Sequence, residues 1–247
     1  MSLVSVVMPY YRNEIYFRDS IASVLNQSYQ NLEIILIDDE VTSNSKYLLK
    51  EIMDTDNRIK LIINEKNLGA GESRNRAIKI ANGKYIAFCD CDDLWEISKL
   101  KTQLEFMNKK NADFSFTSYD IIDEKTKKIG LRNAKNMINY EQLIASCDIG
   151  LSTVVLNKKI FNENCKFAKL KTKEDYVFWL KLSKMGIKMF GLNQILASWR
   201  KSDHSLSSSI IQKLLDGFRV YHNYMKFNVI KSLFCLVRLS INFILKK

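Results

Sequence analysis

The strongest constraint on the fold is an alternation of apolar runs and amphipathic segments over residues 3–89. Each run is short and rich in β-branched residues, as is typical of a strand buried on both faces. The segments between the runs repeat apolar residues every three or four positions, as amphipathic helices do. Strands that alternate with helices favour right-handed crossovers and a parallel sheet. The sequence therefore predicts an α/β fold, with a Rossmann-like, mostly parallel central sheet flanked by helices. Its first strands are predicted at residues 3–8, 32–37, 59–63 and 85–89, and the helices between them from residue 15 and at 45–53 and 72–81.

Polar side chains follow three of these strands at the point where each strand ends. Pro9, the only proline of the chain, is expected to end the first strand, because proline cannot donate to a central ladder. In open parallel sheets the ligand lies beyond the carboxyl ends of the strands, so we expect a binding site at this edge. The polar clusters there are Tyr10 with Tyr11, Asp38 with Asp39, and Asp90 with Asp92.

The fourth strand ends in three carboxylates, at Asp90, Asp92 and Asp93. If the extended geometry persists, Asp90 and Asp92 project to the same side, because side chains alternate along a strand. Two carboxylates there form half of a site for a hard cation, Mn2+ or Mg2+, with a diphosphate completing the ligand shell. The alternative is a solvated acidic turn in which Asp93 caps the next helix.

The second half of the chain shows the same two periods less regularly. Leu100, Leu104 and Met107 recur on one helical face, and we expect another helix to begin at residues 173–175 and to end before Gly186. The helix that carries Leu100, Leu104 and Met107 is followed by two predicted strands, at 114–122 and 128–132, that can pair with each other. The remaining predicted elements are helices at 99–108 and 140–146 and strands at 153–156 and 195–199.

Composition excludes several classes of protein. Five cysteines without regular spacing and two histidines indicate neither a disulfide framework nor a zinc site. The net charge of +11 is spread along the chain, without the dense basic block of a nucleic-acid arm, so we expect no nucleic-acid partner. The start of the chain lacks the basic region of a signal peptide, which predicts a cytoplasmic protein.

The last part of the chain, residues 209–247, is predicted to form an amphipathic helical tail behind a domain at residues 3–208. Lys231 and Arg238 interrupt its apolar run seven residues apart, on one helical face that Asn242 continues. A spanning helix would bury both charges, whereas a helix in the membrane plane turns them to anionic headgroups. The alternatives are a helix packed on the protein's own core or on a second copy in a homodimer.

Five motifs follow one another along residues 3–208: Val4-Ser5-Val6-Val7-Met8-Pro9-Tyr10-Tyr11, Ile35-Leu36-Ile37-Asp38-Asp39, Asn67-Leu68-Gly69 with Ser73-Arg74-Asn75, Asp90-Cys91-Asp92-Asp93, and Glu174-Asp175. In this order they resemble the family 2 inverting glycosyltransferases of the GT-A fold. The segments at 114–119 and 173–180 further resemble teichuronic-acid and O-antigen transferases.

The resemblance implies a donor site for a UDP-sugar. Asp38 would bond the uracil ring or, alternatively, only cap its strand. Asp92 would hold the metal ion, and Asp90 would contact the ribose or sugar and share the metal. Arg74 would face the nucleotide or diphosphate, the alternative being a solvated helix arginine. The remaining implied donor contacts are Pro9, Tyr11, Asp39, Asn67, Arg200 and Ser205, with His204 as a further metal or diphosphate ligand. The alternatives are that Tyr11 packs on the core and that His204 is a surface histidine.

The resemblance also implies the catalytic base. Asp175 would accept the proton of the acceptor hydroxyl on the face opposite the departing UDP, with Glu174 as an orienting neighbour. The alternative role of Asp175 is that of a helix cap. In place of the Gly-Ser that often follows the family's second strand, Glu40-Val41 follows here. The Gln-x-x-Arg-Trp element of processive synthases is absent, which favours one sugar per visit.

The resemblance thus implies a metal-dependent enzyme of bacterial surface polysaccharide synthesis. It would move one sugar from a UDP-sugar to a glycan on undecaprenyl diphosphate, as a peripheral protein at the cytoplasmic face of the inner membrane. The alternatives are a sugar-1-phosphate nucleotidyltransferase, a non-catalytic nucleotide-sugar binder and, most remotely, a nucleic-acid-binding module. The first would place a glycine-rich loop after the first strand, where Tyr10-Tyr11-Arg12-Asn13 has no glycine.

Overall fold

The computed structural model describes residues 1–162, 165–202 and 209–245. Within these residues the chain forms ten strands and eight α-helices. The strands are β1 (Val4–Tyr10), β2 (Leu32–Asp38), β3 (Ile59–Ile63), β4 (Tyr85–Phe88), β5 (Leu94–Trp95), β6 (Phe114–Ile122), β7 (Lys128–Arg132), β8 (Met137–Ile138), β9 (Val155–Asn157) and β10 (Met189–Arg200). The helices are α1 (Glu14–Leu25), α2 (Ser43–Met53), α3 (Ala70–Ile80), α4 (Lys99–Lys110), α5 (Tyr140–Ala145), α6 (Glu174–Lys184), α7 (Ile210–Arg219) and α8 (Val229–Leu245).

One twisted sheet carries all ten strands, in the order β3-β2-β1-β4-β9-β6-β10-β5, with β7 beside β6 and β8 beside β10. The four strands of the amino-terminal half pair in parallel, as predicted. The second half is mixed, because β9 runs antiparallel to both β4 and β6. The predicted pairing of β6 with β7 is confirmed and is antiparallel.

Two apolar layers cover the two faces of the sheet. Along β1, Val4, Val6 and Met8 face the layer that also holds the buried sides of α1, α2 and α4. Val7 points to the opposite layer, which holds α3, α5, α6 and the inner side of the C-terminal helices. This alternation follows from the period of two along a strand. Both faces of the parallel core are therefore buried, which explains why its strands read as continuous apolar runs.

The first strand does not end at Pro9, as the sequence led us to expect, but continues to Tyr10. β1 pairs with β4 only as far as Val7, whose carbonyl accepts a hydrogen bond from the Cys89 N–H. Pro9 lies two residues further and directs its backbone to the same side as Val7. Because the β1–β4 pairing has ended there, the missing N–H of Pro9 interrupts no ladder bond.

Glycine is needed at Gly186 and at Gly83 for different reasons. Gly186 adopts a φ of +85° and ends α6, as predicted. The sequence Asn82-Gly83 also predicts a helix stop with a left-handed cap residue, but this is wrong, because α3 ends at Ile80 and Gly83 is not among the glycines with positive φ. A Cβ at Gly83 would lie 2.5 Å from the backbone nitrogen of Ser5, so glycine is needed there for close approach.

The C-terminal segment, residues 209–245, has one buried and one exposed side. Ser232, Cys235 and Leu239 of α8 are buried against the protein, whereas Ile230 is 81% exposed. The prediction that Asn242 continues the face of Lys231 and Arg238 is wrong. The Asn242 amide instead donates a 2.8 Å hydrogen bond to the Ala145 carbonyl. In the part of the chain that the structure describes, no helix is both long and apolar enough to cross a bilayer.

Candidate active site

The polar clusters predicted at the strand ends lie along one edge of the sheet. Tyr10 and Asp38 are opposite each other in the parallel register of β1 and β2. β4 runs parallel to β1 and ends at Phe88, just before the acidic turn. The carboxyl ends of parallel strands meet at one edge, which is where ligands bind in open α/β sheets. The structure thus gathers there three clusters that the chain separates widely.

Asp38 is fully buried and caps the end of its strand. Its Oδ1 accepts hydrogen bonds from the N–H groups of Glu40, at 3.1 Å, and Val41, at 2.9 Å. Its Oδ2 accepts one from the Ser45 hydroxyl, at 2.9 Å. This is the capping role that we considered as an alternative. The bond from Asp38 to a uracil ring stays a prediction.

Asp39 holds the next loop at this edge of the sheet. We call this edge, which carries Asp38, Asp39 and the acidic turn at Asp90–Asp93, the donor edge. The Asp39 carboxylate accepts hydrogen bonds from the N–H groups of Leu68, at 2.7 Å, and Gly69, at 2.9 Å. The amide of Asn67 donates in turn to the Asp39 carbonyl at 3.0 Å. Gly69 has a φ of +84°, so the loop turns into α3 at a backbone conformation that favours glycine. Asp39 therefore fixes the loop whose members we predicted to approach the donor.

Asp90 and Asp92 do not continue the strand, so the expected extended geometry is wrong. The chain turns after Phe88, and the Asp93 N–H donates to the Asp90 carbonyl at 3.1 Å. Both carboxylates nonetheless stay partly exposed and interact electrostatically. Burial and the charge of Asp90 raise the pKa of Asp92 to about 6, against an opposing hydrogen bond from Asn13. Asn13 is a contact that no sequence motif indicated.

Asp93 is buried and does not cap α4, which corrects the alternative considered for it. Its carboxylate accepts hydrogen bonds from the Ser152 hydroxyl and, at 2.9 Å, from the Arg200 N–H. The same Ser152 hydroxyl accepts from the Asp90 N–H at 3.0 Å, and the Arg200 Nε donates to the Asp92 carbonyl at 3.0 Å. Ser152 and Arg200 thus hold the two ends of the acidic turn. Nothing in the sequence pointed to Ser152.

The guanidinium of Arg200 is turned into the protein. It is 2% exposed and lies 4.3 Å from the Tyr16 ring centre. Its Nη1 donates to the Asp123 carbonyl at 2.9 Å and to the Thr126 hydroxyl at 3.0 Å. Its predicted diphosphate contact stays a prediction, whereas its contact with the acidic turn is part of the fold.

Arg74 joins the acidic turn to the later acidic pair. It is 3% exposed, which excludes the solvated helix arginine that we weighed. Its two terminal nitrogens each donate a 2.6 Å hydrogen bond, one to Asp90 Oδ1 and the other to Glu174 Oε1. Glu174 is 100 residues away in sequence. One guanidinium therefore bonds both Asp90, a predicted donor carboxylate, and Glu174 of the predicted catalytic pair.

Asp175 lies in the first turn of α6, next to Glu174. The residue before them, Lys173, has a φ of +64°, and no side chain caps the helix there. Burial and the charge of Glu174 raise the pKa of Asp175 to about 7, against the opposing charge of Arg74. The Tyr176 N–H donates to Asp175 Oδ1 at 2.7 Å, but this bond joins neighbours within the helix, which begins at Glu174, so the alternative role of Asp175 as the helix cap is wrong. A carboxylate that titrates near neutral pH is suited to general base catalysis.

The other predicted site residues divide into two groups. Pro9 is buried at the end of β1, and Tyr11 is half-buried beyond it, with the Arg12 guanidinium 5.1 Å from its ring centre. Their contacts with a base stay predictions. Ser205 and His204 lie outside the described residues, so the structure does not test their roles.

The donor atoms at the acidic turn fit a hard divalent cation. Asp90 and Asp92 offer carboxylate oxygens whose mutual repulsion a cation would relieve. Among the described residues, no group of three or more histidine, cysteine, aspartate or glutamate side chains forms a metal site. Magnesium sites at phosphates often use only one or two carboxylates and complete their shell with phosphate oxygens and water. The turn therefore suits an ion that arrives with a diphosphate.

Comparison with known proteins bears on the whole chain. The profile of Glycosyl transferase family 2 matches residues 5–165. The teichuronic acid biosynthesis glycosyltransferase TuaG of Bacillus subtilis is 32% identical over 246 residues, 99% of this chain and 97% of TuaG. The UDP-Glc:alpha-D-GlcNAc-diphosphoundecaprenol beta-1,3-glucosyltransferase WfgD of Escherichia coli is 36% identical over 226 residues, 91% of this chain and 87% of WfgD.

Two solved structures share the fold at low identity. S. aureus TarS 1–349 in complex with UDP-GlcNAc matches with a TM-score of 0.70 and 19% identity, over 96% of this chain and 70% of that one. The mannosyltransferase PcManGT from Pyrobaculum calidifontis, in complex with GDP-Man and Mn2+, matches with a TM-score of 0.71 and 12% identity, over 94% and 69%. The predicted GT-A fold and the family resemblance are both confirmed. The chain is a glycosyltransferase and belongs to glycosyl transferase family 2.

Proposed function

We propose that this enzyme transfers one sugar from a UDP-sugar to a lipid-diphosphate-linked glycan, with inversion, and that Asp175 is the base. The observation that carries the proposal is the double contact of Arg74, which donates at 2.6 Å to both Asp90 and Glu174. This contact supports the proposal, because it joins Asp90 of the acidic turn to Glu174, the neighbour of Asp175. A single displacement needs both groups there, on opposite sides of the reacting carbon.

The donor is proposed to be UDP-glucose or a related UDP-sugar. WfgD and a second E. coli relative, WfaP, which is 33% identical over 249 residues, both carry UDP-Glc as the donor in their names. TarS, which shares the fold, is described in complex with UDP-GlcNAc. We assign the base pocket to Pro9, Tyr11 and Asp38, and the diphosphate side to the Asn67 loop and Arg74. Ser205 and Arg200 remain proposed diphosphate contacts.

Asp92 and Asp90 would hold Mn2+ or Mg2+, with His204 as a proposed third ligand. When bound, such an ion neutralises negative charge on the UDP leaving group. Mn2+ accompanies the nucleotide sugar in the PcManGT structure, which supports a divalent ion at this edge. Ser152 and Arg200 support the site from within the protein, because they fix the amide of Asp90 and the carbonyl of Asp92.

Asp175 is proposed to accept the proton of the attacking acceptor hydroxyl. The reaction forms a bond from the acceptor oxygen to the anomeric carbon and breaks the bond from that carbon to UDP. The hydroxyl proton goes to Asp175, so the charge of the carboxylate passes to the departing diphosphate. Because burial and Glu174 raise its pKa to about 7, Asp175 holds this proton more readily than an exposed aspartate would. Arg74 limits that rise and orients Glu174 beside it.

The acceptor is proposed to be a glycan on undecaprenyl diphosphate, since the names of WfgD and WfaP specify alpha-D-GlcNAc-diphosphoundecaprenol. The exposed side of α7 and α8, which we call the tail surface, suits a membrane carrying that lipid. Its apolar side chains include Ile210, Ile211, Val229, Ile230, Phe234 and Val237. Lys231 and Arg238 are exposed with them, and residues 217–245 contain no acidic residue. An in-plane helix with this pattern inserts its apolar side chains and turns its cations to anionic headgroups.

We therefore place the enzyme in the cytoplasm, peripherally at the inner membrane. Flotation with vesicles of phosphatidylglycerol and phosphatidylethanolamine tests this, with Phe234→Glu as the variant. We expect wild type to float and the variant to stay unbound. Concentration-dependent dimers in sedimentation, lost in Phe234→Glu without any flotation of wild type, would show that a second copy covers the tail surface instead.

The test of the reaction uses UDP-glucose, Mn2+ and a synthetic GlcNAc-diphospholipid. We expect release of UDP and one added sugar, with inverted (β) anomeric configuration by NMR. A retained (α) linkage would contradict the single displacement with Asp175 as base. A panel of other UDP-sugars identifies the donor if UDP-glucose is inactive. Absence of UDP release with every UDP-sugar would contradict the proposal.

A further inference from the structure

The C-terminal segment contacts the chain on both sides of the proposed base. On one side, Asp216 of α7 is fully buried, and its Oδ2 accepts two hydrogen bonds from Thr172. One comes from the Thr172 N–H and the other from its hydroxyl, each at 3.1 Å. Thr172 lies shortly before Asp175, in the loop that leads into α6. Asp216 is thereby linked directly to the backbone that leads into the catalytic pair.

On the other side, Tyr221 contacts the residue that follows Asp175. The hydroxyl oxygens of Tyr221 and Tyr176 are 3.0 Å apart in the buried interior. Each also lies within hydrogen-bond distance of a carbonyl of α5, Tyr176 at 2.7 Å from Leu143 and Tyr221 at 2.8 Å from Ile144. Tyr221 belongs to the turn of π-helix that follows α7. Both contacts thus come from one short stretch of the C-terminal segment.

The loop between these contacts has weak local support of its own. Lys173 occupies the left-handed region, at a φ of +64°, a conformation that costs a residue with a side chain about 1 kcal/mol or more. No side chain caps the start of α6. Such a conformation persists only where surrounding contacts determine it. The surrounding contacts here are the bonds of Asp216, Tyr221 and Arg74.

Asp216 can hold Thr172 as an ionised carboxylate because other side chains also donate hydrogen bonds to it. Gln212 donates to it at 2.9 Å and Arg219 at 3.0 Å, besides the two bonds from Thr172. Burial alone would raise the pKa of Asp216, but these hydrogen bonds outweigh it and hold the pKa below the ordinary value. The carboxylate is therefore ionised at neutral pH, and hydrogen bonds to an ionised acceptor are stronger than those between neutral groups.

We propose that Asp216 and Tyr221 are positioning residues, which hold Thr172 before Asp175 and the Tyr176 side chain after it, so that the Asp175 carboxylate meets the acceptor hydroxyl. This rests on the proposed role of Asp175 as the base. The C-terminal segment then has two functions on its two sides. Its tail surface faces the lipid, and its buried side sets the geometry of the catalytic loop.

The test compares full-length Asp216→Ala, Asp216→Asn and Tyr221→Phe with two matched controls. Glu33→Gln alters another buried, hydrogen-bonded carboxylate, at the opposite edge of the sheet, where Glu33 bonds Ser5 and Lys60. Tyr29→Phe removes another bonded tyrosine hydroxyl, far from the loop. Tyr221→Phe keeps the test decisive if Asp216→Ala does not fold.

The first readout is amide hydrogen exchange of residues 172–177, followed by mass spectrometry. We expect Asp216→Ala and Tyr221→Phe to raise exchange in this segment about tenfold or more, with a smaller rise in Asp216→Asn, which retains an acceptor oxygen. The controls should leave exchange in this segment at the wild-type rate. Unchanged exchange in Asp216→Ala and Tyr221→Phe, or an equal rise in the controls, would overturn the proposal.

The second readout is turnover of UDP-glucose with the GlcNAc-diphospholipid, well below the melting temperature of each variant. Misplacing a reacting group by about 1 Å costs up to about a hundredfold in rate, so we expect kcat to fall about ten- to a hundredfold in Asp216→Ala. The KM for UDP-glucose and the affinity for UDP should stay within twofold of wild type. An equal loss of UDP affinity would indicate general destabilisation and overturn the proposal. Absence of turnover in wild type would instead refute the proposed function, and hydrogen exchange would still decide the positioning role.

Discussion

The two carboxylate clusters of the active site are held in different ways. At the donor edge, Asp38 and Asp39 bond the loops that follow their own and the neighbouring strand, and the parallel sheet brings these loops together. The proposed catalytic pair, Glu174 and Asp175, depends on partners far away in sequence. Arg74 is 100 residues from Glu174, and Asp216 is 44 residues from Thr172. Asp38 and Asp39 are thus held by segments no more than 30 residues away in sequence, whereas Glu174 and Thr172 are held by more distant partners.

The largest expected effect separates the two regions most cleanly. Asp175→Asn keeps the shape of the side chain and an oxygen for the Tyr176 N–H but removes the base. We expect kcat to fall about 10²- to 10⁴-fold, the usual contribution of general base catalysis. UDP affinity, measured by calorimetry, should not change, because the donor edge is intact. A kcat within threefold of wild type would show that Asp175 is not the base.

The next effect tests the link between the regions. Arg74→Met leaves Glu174 and Asp90 without their shared cation and should lower the free energy of unfolding by about 3 kcal/mol. This value is at the low end for a buried pair, because the Asp90 side chain is 32% exposed. Urea denaturation measures it. The matched control is Arg18→Met, which removes an exposed ion pair with Glu51 and should cost less than about 1 kcal/mol.

If Arg74→Met lowered the free energy of unfolding by less than about 1 kcal/mol, the two regions would be energetically independent. In that case the two carboxylate clusters would not share one structural unit. We also expect UDP affinity and kcat to fall together in this variant, unlike in Asp175→Asn. This shared loss is the signature of a residue that serves both clusters.

A pH profile measures the catalytic cluster on its own. Because the pKa of Asp175 is raised to about 7, the base is protonated at lower pH, and kcat/KM should fall about tenfold per unit below pH 7. Since the native pKa of Asp175 exceeds the unfolded value of about 3.9, its contribution to stability is present at low pH and is lost as the pH rises from about 4 to about 7. A profile flat from pH 5 to pH 8 would contradict this assignment.

The smallest effect concerns the donor edge alone. Ser152→Ala removes the hydroxyl that joins Asp93 to the Asp90 N–H, and we expect a loss of about 1 kcal/mol in Mn2+-dependent UDP binding. That corresponds to about a fivefold rise in Kd, with kcat at saturating donor within twofold of wild type. Ser240→Ala, whose hydroxyl bonds only its own helix at Leu236, is the control. A fall in kcat without a change in UDP affinity would contradict the division between the regions.

The same contrast explains how much of the fold could be predicted from the sequence. β3 and β6 were predicted with the bounds that the structure gives, because each is rich in β-branched and aromatic residues. β10 begins at Met189 rather than at residue 195, because register shifts between Leu192 and Ala197 break its alternation. The two-residue strands β5 and β8 were missed, since two residues show no period.

Within the active site, motif residues could be found but their partners could not. Asp90, Arg74 and Asp175 stand in recognisable motifs, and the structure brings Asp90 and Arg74 into contact. Ser152 lies 59 residues from Asp93, in a segment without a motif. Its bond depends on how β9 inserts between β4 and β6, which is a property of the tertiary fold. Long-range polar contacts of this kind leave no periodic signal.

The most direct test of the central claim is calorimetric titration of UDP, with Mn2+ and with EDTA, on wild type and on Asp92→Asn. The structure places Asp92 in the acidic turn beside Asp90, so the account predicts UDP binding by wild type that weakens at least tenfold in EDTA. The variant should bind UDP equally weakly in both conditions. Wild type that binds no UDP in either condition would contradict the assignment of this edge as the donor site of a UDP-sugar transferase.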